Sequence, residues 1–246
     1  MLAVTAALAA CSPSTNSSPT ESASSSSPTG IDRVVLIGDS LGEQVAPYLQ
    51  LLTGTRSFEA QVFGGTAPCD WLGKDLKVTA SSVAVITFIG NSSTTCMADS
   101  AGGYLHGQSL VDKYRSDITA LVAQARGTGA QVLLVGQPQR VGADADTEVA
   151  GINSTLADLV VPGEVSFVDA GASVEDPAGG FALRLPCMPG EAQCDPDGSI
   201  QVRSEDGVHF CSGFTATGCA EYSSGAFRFA AALAKAIDSL TSSPNT

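Results

Sequence analysis

VVLIGDSLGEQ, residues 34–44, joins an apolar run to the turn Gly-Asp-Ser-Leu that contains Ser40. The apolar run belongs to a predicted buried strand over 31–37, and the residues after the turn have the spacing of a helix over 41–53. A serine between a strand and a helix is either an ordinary turn residue or a nucleophile at the mouth of an α/β sheet. The second interpretation requires a base, a carboxylate that orients the base, and donors for an oxyanion.

The remainder of the chain alternates strands and helices. Further strands are predicted over 58–63, 82–89, 130–136 and 164–170, and helices within 109–129, 145–160 and 223–240. A long loop rich in Gly, Pro and Cys is expected over 171–208. This alternation implies right-handed crossovers between parallel strands, so the predicted fold is α/β, a three-layer α/β/α sandwich with a five-stranded parallel sheet. In such sheets functional residues lie just beyond the carboxyl ends of the strands.

The first thirty residues are predicted to lie outside this fold. The apolar run MLAVTAALAAC (1–11) ends like the lipobox of bacterial lipoproteins, which implies lipidation of Cys11; a chance cysteine after an ordinary signal peptide is the alternative. Residues 12–30, rich in Ser, Thr and Pro, are expected to form a disordered tether before a folded domain over 31–241. We therefore expect an exported protein, anchored to the membrane only through its lipid and facing outward, or a secreted form.

The overall charge excludes one class of partner. The chain has a net charge of −13 and only 12 Lys and Arg residues, whereas nucleic-acid binding needs a basic face. A hydrophobic content of 43% suits a globular core. We expect a monomer that does not bind nucleic acid.

The cysteines favour disulfides. Six cysteines remain when Cys11 is set aside, and an even number in an exported protein is typical of disulfide bonds, although six cysteines permit fifteen pairings. Short spacing favours Cys187–Cys194 and Cys211–Cys219, which leaves Cys69–Cys96. Zinc binding is the competing interpretation, but the chain has two histidines and lacks a CxxC pair, so no metal site is predicted.

The two histidines, His106 and His209, are the candidate bases for Ser40. His209 follows Asp206 by three residues in RSEDGVHFC, and this spacing lets the carboxylate reach the imidazole Nδ1 while Nε2 faces a serine. A surface turn followed by an incidental histidine is the alternative. His106, in GGYLHGQ, is expected to be a loop residue or the start of a helix.

Candidate oxyanion donors follow two other predicted strands. Gly64 and Gly65 come after the second strand, where glycine lets a backbone N–H approach a ligand. Asn91 comes after the third strand and offers a side-chain amide. Each of these is a common turn residue by itself, but all of them fall at the same edge of the predicted sheet as Ser40.

These residues carry a resemblance to a known family. The turn at 38–41 resembles the first block of the GDSL, or SGNH, hydrolases, and Asp206-Gly207-Val208-His209 resembles their D-x-x-H block. The four residues after which SGNH is named correspond in order to Ser40, Gly64 or Gly65, Asn91 and His209. The resemblance covers about residues 31–240 and is greatest to domains of exported actinobacterial proteins, which are related to domains fused to membrane O-acyltransferases.

The resemblance implies a flavodoxin-like fold and a site without cofactors. Ser40 would be the nucleophile, His209 the base and Asp206 its orienting group, with the N–H of Ser40, Gly64 or Gly65 and the Asn91 amide as oxyanion donors. One block departs from the family pattern, because Gly90-Asn91-Ser92 lacks the spacer and the aspartate of G-x-N-D.

The remaining expectations concern the surroundings of the site. Asp39 would organise the turn at Ser40, and Cys69–Cys96 would join the loops that carry the glycine and asparagine donors or simply stabilise the domain. Trp71 and Phe210 would either line an acyl pocket or pack in the core.

The predicted activity is that of a serine esterase. It would act on short-chain O-acyl esters of small molecules or of glycans at the cell envelope. An O-acyltransferase that passes the acyl group to a glycan hydroxyl is the alternative, and a non-catalytic envelope-binding module is a further one.

Overall fold

A computed structural model of the chain describes Met1 and residues 30–215 and 218–242. The predicted lipobox with Cys11 and nearly all of the predicted tether therefore lie outside the described residues. Within the described residues, no helix is both long and apolar enough to span a lipid bilayer.

Five parallel strands form the central sheet in the order β2-β1-β3-β4-β5. Their bounds are β1 Arg33–Gly38, β2 Ser57–Val62, β3 Ser82–Thr87, β4 Gln131–Val135 and β5 Val165–Val168. After β1 the chain first adds β2 on one side and then crosses to add β3 on the other. The switch of direction therefore lies between β1 and β3, where open α/β sheets place their functional crevice.

Four helices cover the two faces of this sheet: α1 Ser40–Leu52, α2 Gly107–Arg126, α3 Ala143–Asp158 and α4 Ser224–Ser242. Apolar side chains of α1 and α4 share one core cluster with one face of the strands. Those of α2 and α3 belong to a second cluster on the opposite face. The predicted three-layer α/β/α sandwich is confirmed.

The alternation of side chains along a strand explains the two cores. In β1, Val34 and Leu36 belong to the cluster with α1 and α4, whereas Val35 and Ile37 belong to the cluster with α2 and α3. All four side chains are fully buried. A strand buried on both faces has this continuous apolar sequence, because successive side chains point to opposite faces.

The segment predicted as one long loop, 171–208, contains additional structure. A short antiparallel ribbon pairs β6 (Arg184–Pro186) with β7 (Ser199–Gln201). Two-residue strands β8 (Phe214–Thr215) and β9 (Gly218–Cys219) pair further on. Strands this short offer little periodicity in sequence.

All three predicted disulfides are present: Cys69–Cys96, Cys187–Cys194 and Cys211–Cys219. Within the second bridged loop, the side chain of Glu191 is buried and accepts hydrogen bonds from Arg228 of α4 (Nη2 to Oε2, 2.6 Å) and from Ser224. Burial alone would raise the pKa of Glu191, but these hydrogen bonds outweigh it and lower the pKa to about 2. The bridged loop is thus fixed to the last helix.

Candidate active site

Ser40 is the first residue of α1, and a single residue, Asp39, separates it from the end of β1. The preceding residue, Asp39, caps the helix, because its carboxylate accepts the N–H of Leu41 at 3.1 Å. Ser40 itself is only 6% exposed. The turn therefore presents one hydroxyl at the carboxyl edge of the sheet, next to the switch point.

The structure brings Ser40, His209 and Asp206 together. The Oγ of Ser40 lies 2.9 Å from Nε2 of His209, and Nδ1 of the same ring lies 2.7 Å from Oδ2 of Asp206. The residues are 169 positions apart at the first contact and three apart at the second. This is the arrangement of a serine, a base and an orienting carboxylate.

Backbone hydrogen bonds fix the carboxylate of Asp206. Its Oδ1 accepts the N–H of Val208 at 2.8 Å and the N–H of His209 at 2.9 Å. Partial burial raises the pKa of Asp206, but the hydrogen bonds from His209 and Val208 outweigh burial and hold it below its usual value. Asp206 is therefore an anion at neutral pH, and an anion there stabilises an imidazolium.

A buried arginine holds the backbone of this loop. Arg203 is fully buried and donates to the carbonyl of Val208 at 2.6 Å and to that of Gln139 at 3.0 Å. Its guanidinium also faces the rings of Phe181 and Phe210. Burial lowers the pKa of Arg203 to about 10, so it remains charged at neutral pH.

The carboxylate of Asp39 also connects β1 to the residues after β3. Its Oδ2 accepts the N–H of Ile89 at 2.7 Å and the side-chain amide of Asn91 at 3.0 Å. Asp39 is completely buried, and burial raises its pKa to about 7 against the hydrogen bonds that oppose the shift. Asp39 thus has the predicted role of organising the turn, and it also holds Asn91.

Both hydrogens of the Asn91 amide are used inside the protein. Besides Asp39, Nδ2 donates to the carbonyl of Thr66 at 3.0 Å. The backbone carbonyl of Asn91 accepts a hydrogen bond from the hydroxyl of Tyr114 at 3.0 Å. A side-chain amide has two N–H donors, so in this arrangement Asn91 joins two loops, and its role as an oxyanion donor stays a prediction.

The two candidate glycines differ in their hydrogen bonding. The N–H of Gly64 donates to Oε1 of Glu43 at 3.0 Å. Within the described part of the chain no acceptor occupies the N–H of Gly65, which has a left-handed backbone conformation with φ of +78°. Gly65 therefore presents the unoccupied N–H of the pair.

The aromatic candidates are core residues. Trp71 packs in the core cluster with α2 and α3, and its indole N–H donates to the hydroxyl of Thr66 at 3.2 Å. Phe210 packs in the other cluster, with its ring centroid 5.2 Å from that of Phe229. The packing alternative applies to both residues. His106 is the residue that precedes α2 and is exposed, as expected for the start of a helix.

The disulfide Cys69–Cys96 links the loop after β2 to the loop after β3. Asp70 lies beside it, with Oδ1 3.3 Å from Sγ of Cys96. These three residues are close enough to hold a metal ion, but both sulfurs are consumed in the disulfide and are not thiolate ligands. The cluster is thus a covalent link between two loops.

Two residues of the site lie outside the sequence predictions. Arg203 gives no signal in sequence, because arginine is seldom fully buried and its acceptors are carbonyls of two separate loops. Glu43 does have a signal, since it lies three residues after Ser40 on the same helix face. Its hydrogen bond with Gly64, however, depends on where β2 ends relative to α1, which the sequence does not give.

The sheet order, the helix layers and the placement of Ser40 at the switch point define the α/β fold of the SGNH hydrolases. A family model described as "Protein of unknown function (DUF459)" matches residues 33–217. The chain therefore belongs to the DUF459 family. A comparison with curated proteins finds no match.

Solved structures with this fold share little sequence with the chain. A GDSL-like lipase from Bacteroides thetaiotaomicron is 16% identical with a TM-score of 0.53, over 85% of this chain and 88% of that one. A lipase from a goat rumen metagenome is 14% identical with a TM-score of 0.53, over 83% and 96%. The C-terminal catalytic domain of Streptococcus pneumoniae peptidoglycan O-acetyltransferase A is 16% identical with a TM-score of 0.50, over 87% and 96%. At these identities the likeness shows the fold.

Proposed function

We propose that the protein is a serine ester hydrolase that acts through an acyl-enzyme. The observation that carries this proposal is the hydrogen-bonded series from Ser40 Oγ to His209 Nε2 and from His209 Nδ1 to Asp206. A serine hydroxyl is a weak nucleophile until a neighbouring base removes its proton. Here the base is in hydrogen-bond contact with the hydroxyl before any substrate arrives.

In the acylation step, Ser40 Oγ attacks the ester carbonyl carbon while its proton passes to Nε2 of His209. The negative charge of Asp206 stabilises the imidazolium and keeps the remaining N–H on Nδ1. The tetrahedral intermediate then breaks the bond to the alcohol oxygen, which takes the proton from Nε2. The products of this step are a free alcohol and an acyl group on Ser40.

In deacylation, a water molecule attacks the acyl carbon and gives its proton to His209. The bond to Ser40 Oγ then breaks, the proton returns to Oγ, and a carboxylic acid leaves. The side chains of His209 and Asp206 are 21% and 47% exposed. Solvent water therefore has access to the base.

The oxyanion must be stabilised by donors near Ser40. The N–H of Ser40 is a proposed donor because the first residue of a helix has no intrahelical acceptor. The N–H of Gly65 is a second candidate because it is unoccupied. Gly64 and Asn91 become donors when Glu43 and Thr66, respectively, give up the hydrogen bonds they now accept.

The proposed substrates are short-chain O-acyl esters of small molecules or envelope glycans. Support comes from the N-terminal sequence, which resembles a lipoprotein signal ending at Cys11, and from the disulfides, which are typical of exported proteins. Outward-facing attachment through lipidated Cys11, or secretion, belongs to the same proposal.

Labelling with a fluorophosphonate probe and hydrolysis of 4-nitrophenyl acetate test the activity. We expect the purified protein to be labelled and to hydrolyse the ester, and Ser40→Ala to lose both. Ser109→Ala, which removes an exposed hydroxyl at the start of α2, is the control and should retain both. Labelling that persists in Ser40→Ala would refute the assignment of the nucleophile.

Transfer to a glycan is decided by the products. With an acetyl donor and a muropeptide or oligosaccharide acceptor, hydrolysis yields acetate alone, whereas transfer yields an acetylated acceptor that mass spectrometry detects. We expect acetate as the main product.

A further inference from the structure

Glu43 is an acidic residue of α1 that lies close to the proposed nucleophile, Ser40. Its Oε1 accepts the N–H of Gly64 at 3.0 Å. A Cβ placed on Gly64 would lie 3.1 Å from Oε2 of Glu43 and 3.6 Å from Cβ of Ser40. The carboxylate and the nucleophile thus flank the same glycine, and the carboxylate already occupies a predicted oxyanion donor.

Such a carboxylate affects substrates according to their charge. The tetrahedral intermediate of a neutral ester places a negative charge close to Glu43, and the two anions repel each other in a partly buried site. A substrate with a positive charge near its carbonyl instead attracts Glu43. If the carboxylate turned toward that charge, the N–H of Gly64 would be released.

The loops around the site provide independent support. The described acidic residues on the segments that follow the five strands and on the loop 203–213 are Asp39, Glu43, Asp70, Asp99, Asp169, Glu175, Glu205 and Asp206. Over the same described segments, the Arg and Lys residues are Arg140 and Arg203. The segments are 39–43, 63–71, 88–106, 136–142, 169–175 and 203–213. The edge of the sheet that carries the nucleophile is therefore strongly acidic.

Both arginines are engaged within the protein. Arg140 pairs with Glu148 at 3.4 Å, and Arg203 is fully buried on the carbonyls of Gln139 and Val208. Within the described residues, neither guanidinium forms an ion pair with Glu43. A substrate that supplies its own cation would provide the missing counter-charge.

We propose that Glu43 is a specificity-determining residue, and that the site prefers esters with a positively charged group close to the scissile carbonyl. This inference rests on the proposed esterase activity. Quaternary ammonium and protonated amine groups, in the acyl or the alcohol part, are the chemical class that fits.

The test uses isosteric pairs of esters that differ by one charge. The 4-nitrophenyl esters of trimethylammonioacetate and of 3,3-dimethylbutyrate place the charge in the acyl part. Acetylcholine and 3,3-dimethylbutyl acetate place it in the alcohol part. For each pair, kcat/KM of the charged ester is divided by that of the neutral ester, after subtraction of the rate with Ser40→Ala.

The variants are Glu43→Gln, which keeps an oxygen acceptor for Gly64 and removes the charge, and Glu164→Gln as the control. Glu164 lies immediately before β5, at the opposite end of the sheet, where it pairs with Arg126, and its substitution changes the net charge equally. Comparison of each ratio between variants cancels the intrinsic reactivities of the esters.

We expect Glu43→Gln to lower the charged-to-neutral ratio of kcat/KM by about tenfold for at least one pair. This is the size expected for the attraction between two opposite charges that solvent partly screens. Glu164→Gln should leave both ratios unchanged within about twofold, the limit set for no effect. If Glu43→Gln hydrolyses the esters with the ratios of the unmodified protein, Glu43 only positions the loop at Gly64 and the inference is wrong. If the unmodified protein hydrolyses none of the four esters faster than Ser40→Ala does, the esterase proposal itself fails, and the inference with it.

Discussion

Asp39 and Asp206 are two carboxylates of one site, and each accepts three hydrogen bonds. Those of Asp39 come from Leu41, Ile89 and Asn91, and those of Asp206 come from the N–H groups of Val208 and His209 and from the His209 ring. Their pKa values nevertheless shift in opposite directions, to about 7 for Asp39 and below the usual value for Asp206.

Burial explains this difference. Asp39 is fully enclosed at the end of β1, where loss of solvent exceeds the effect of its hydrogen bonds, whereas Asp206 lies on an exposed loop. Asp206, which the proposed mechanism requires to stay charged beside His209, is in contact with solvent. Asp39 instead holds the turn at Ser40 and the loop after β3 by hydrogen bonds, a role that does not require contact with solvent.

The largest expected effect concerns the exposed carboxylate. Asp206→Asn should lower kcat by about 10⁴-fold, because an amide no longer stabilises the imidazolium or fixes its tautomer. Thermal unfolding should change little, since the side chain is exposed. Steady-state kinetics with 4-nitrophenyl acetate measure the loss, and Glu205→Gln, at the adjacent exposed carboxylate, serves as the control. A kcat within about tenfold of the unmodified protein would contradict the role assigned to Asp206.

The enclosed carboxylate should instead appear in the pH dependence of stability. Asp39 has a folded pKa of about 7 and an ordinary value of 3.8, so between these values the folded state binds a proton that the unfolded state does not. The free energy of unfolding should thus decrease as pH rises toward 7, by up to about 4 kcal/mol, and then level off.

Urea unfolding at several pH values between about 5 and 8 measures this slope, in a range well above the lowered pKa values of Asp206 and Glu191. Asp39→Asn, which does not titrate, should lose most of the slope. A stability that rises with pH over this range in the unmodified protein would be evidence against an enclosed, protonatable Asp39.

The third prediction concerns Arg203, which connects the exposed loop to the protein interior. Arg203→Met keeps much of the side-chain volume but leaves the carbonyls of Gln139 and Val208 without their buried donor. We expect a loss of about 3 kcal/mol in the free energy of unfolding and a lower kcat from a less ordered His209. Equal stability of Arg203→Met and the unmodified protein in urea would show that the loop does not depend on this residue.

The sequence is sufficient to predict the features that depend on local pattern. β1 is recognisable because a strand buried on both faces is continuously apolar. The D-x-x-H spacing predicts that Asp206 contacts the ring of His209, three residues later. Two disulfides, Cys187–Cys194 and Cys211–Cys219, follow the shortest spacings, and the third joins the two cysteines that remain. These features depend on residues that are close together in the chain or repeat with a fixed period.

The hydrogen-bond acceptors of the candidate oxyanion donors could not be predicted from sequence, because they depend on how separate elements pack. Whether the N–H of Gly64 is open depends on Glu43 of α1, and whether the amide of Asn91 is open depends on Asp39 and the carbonyl of Thr66. Sequence identifies the residue types and the strand ends but not these partners. Arg203 illustrates the same point, since a buried arginine is defined only by the loops around it.

The order of the disulfides has a consequence for how the chain matures. The bridges join Cys69 to Cys96, Cys187 to Cys194 and Cys211 to Cys219. Among the described cysteines, each therefore pairs with its neighbour in the chain, and no two bridged loops overlap. An oxidant that joins thiols in the order in which they emerge produces this pattern without any later reshuffling. The one thiol that would upset the order is Cys11, which emerges first. Blocking it with a lipid would leave the other six to pair in sequence.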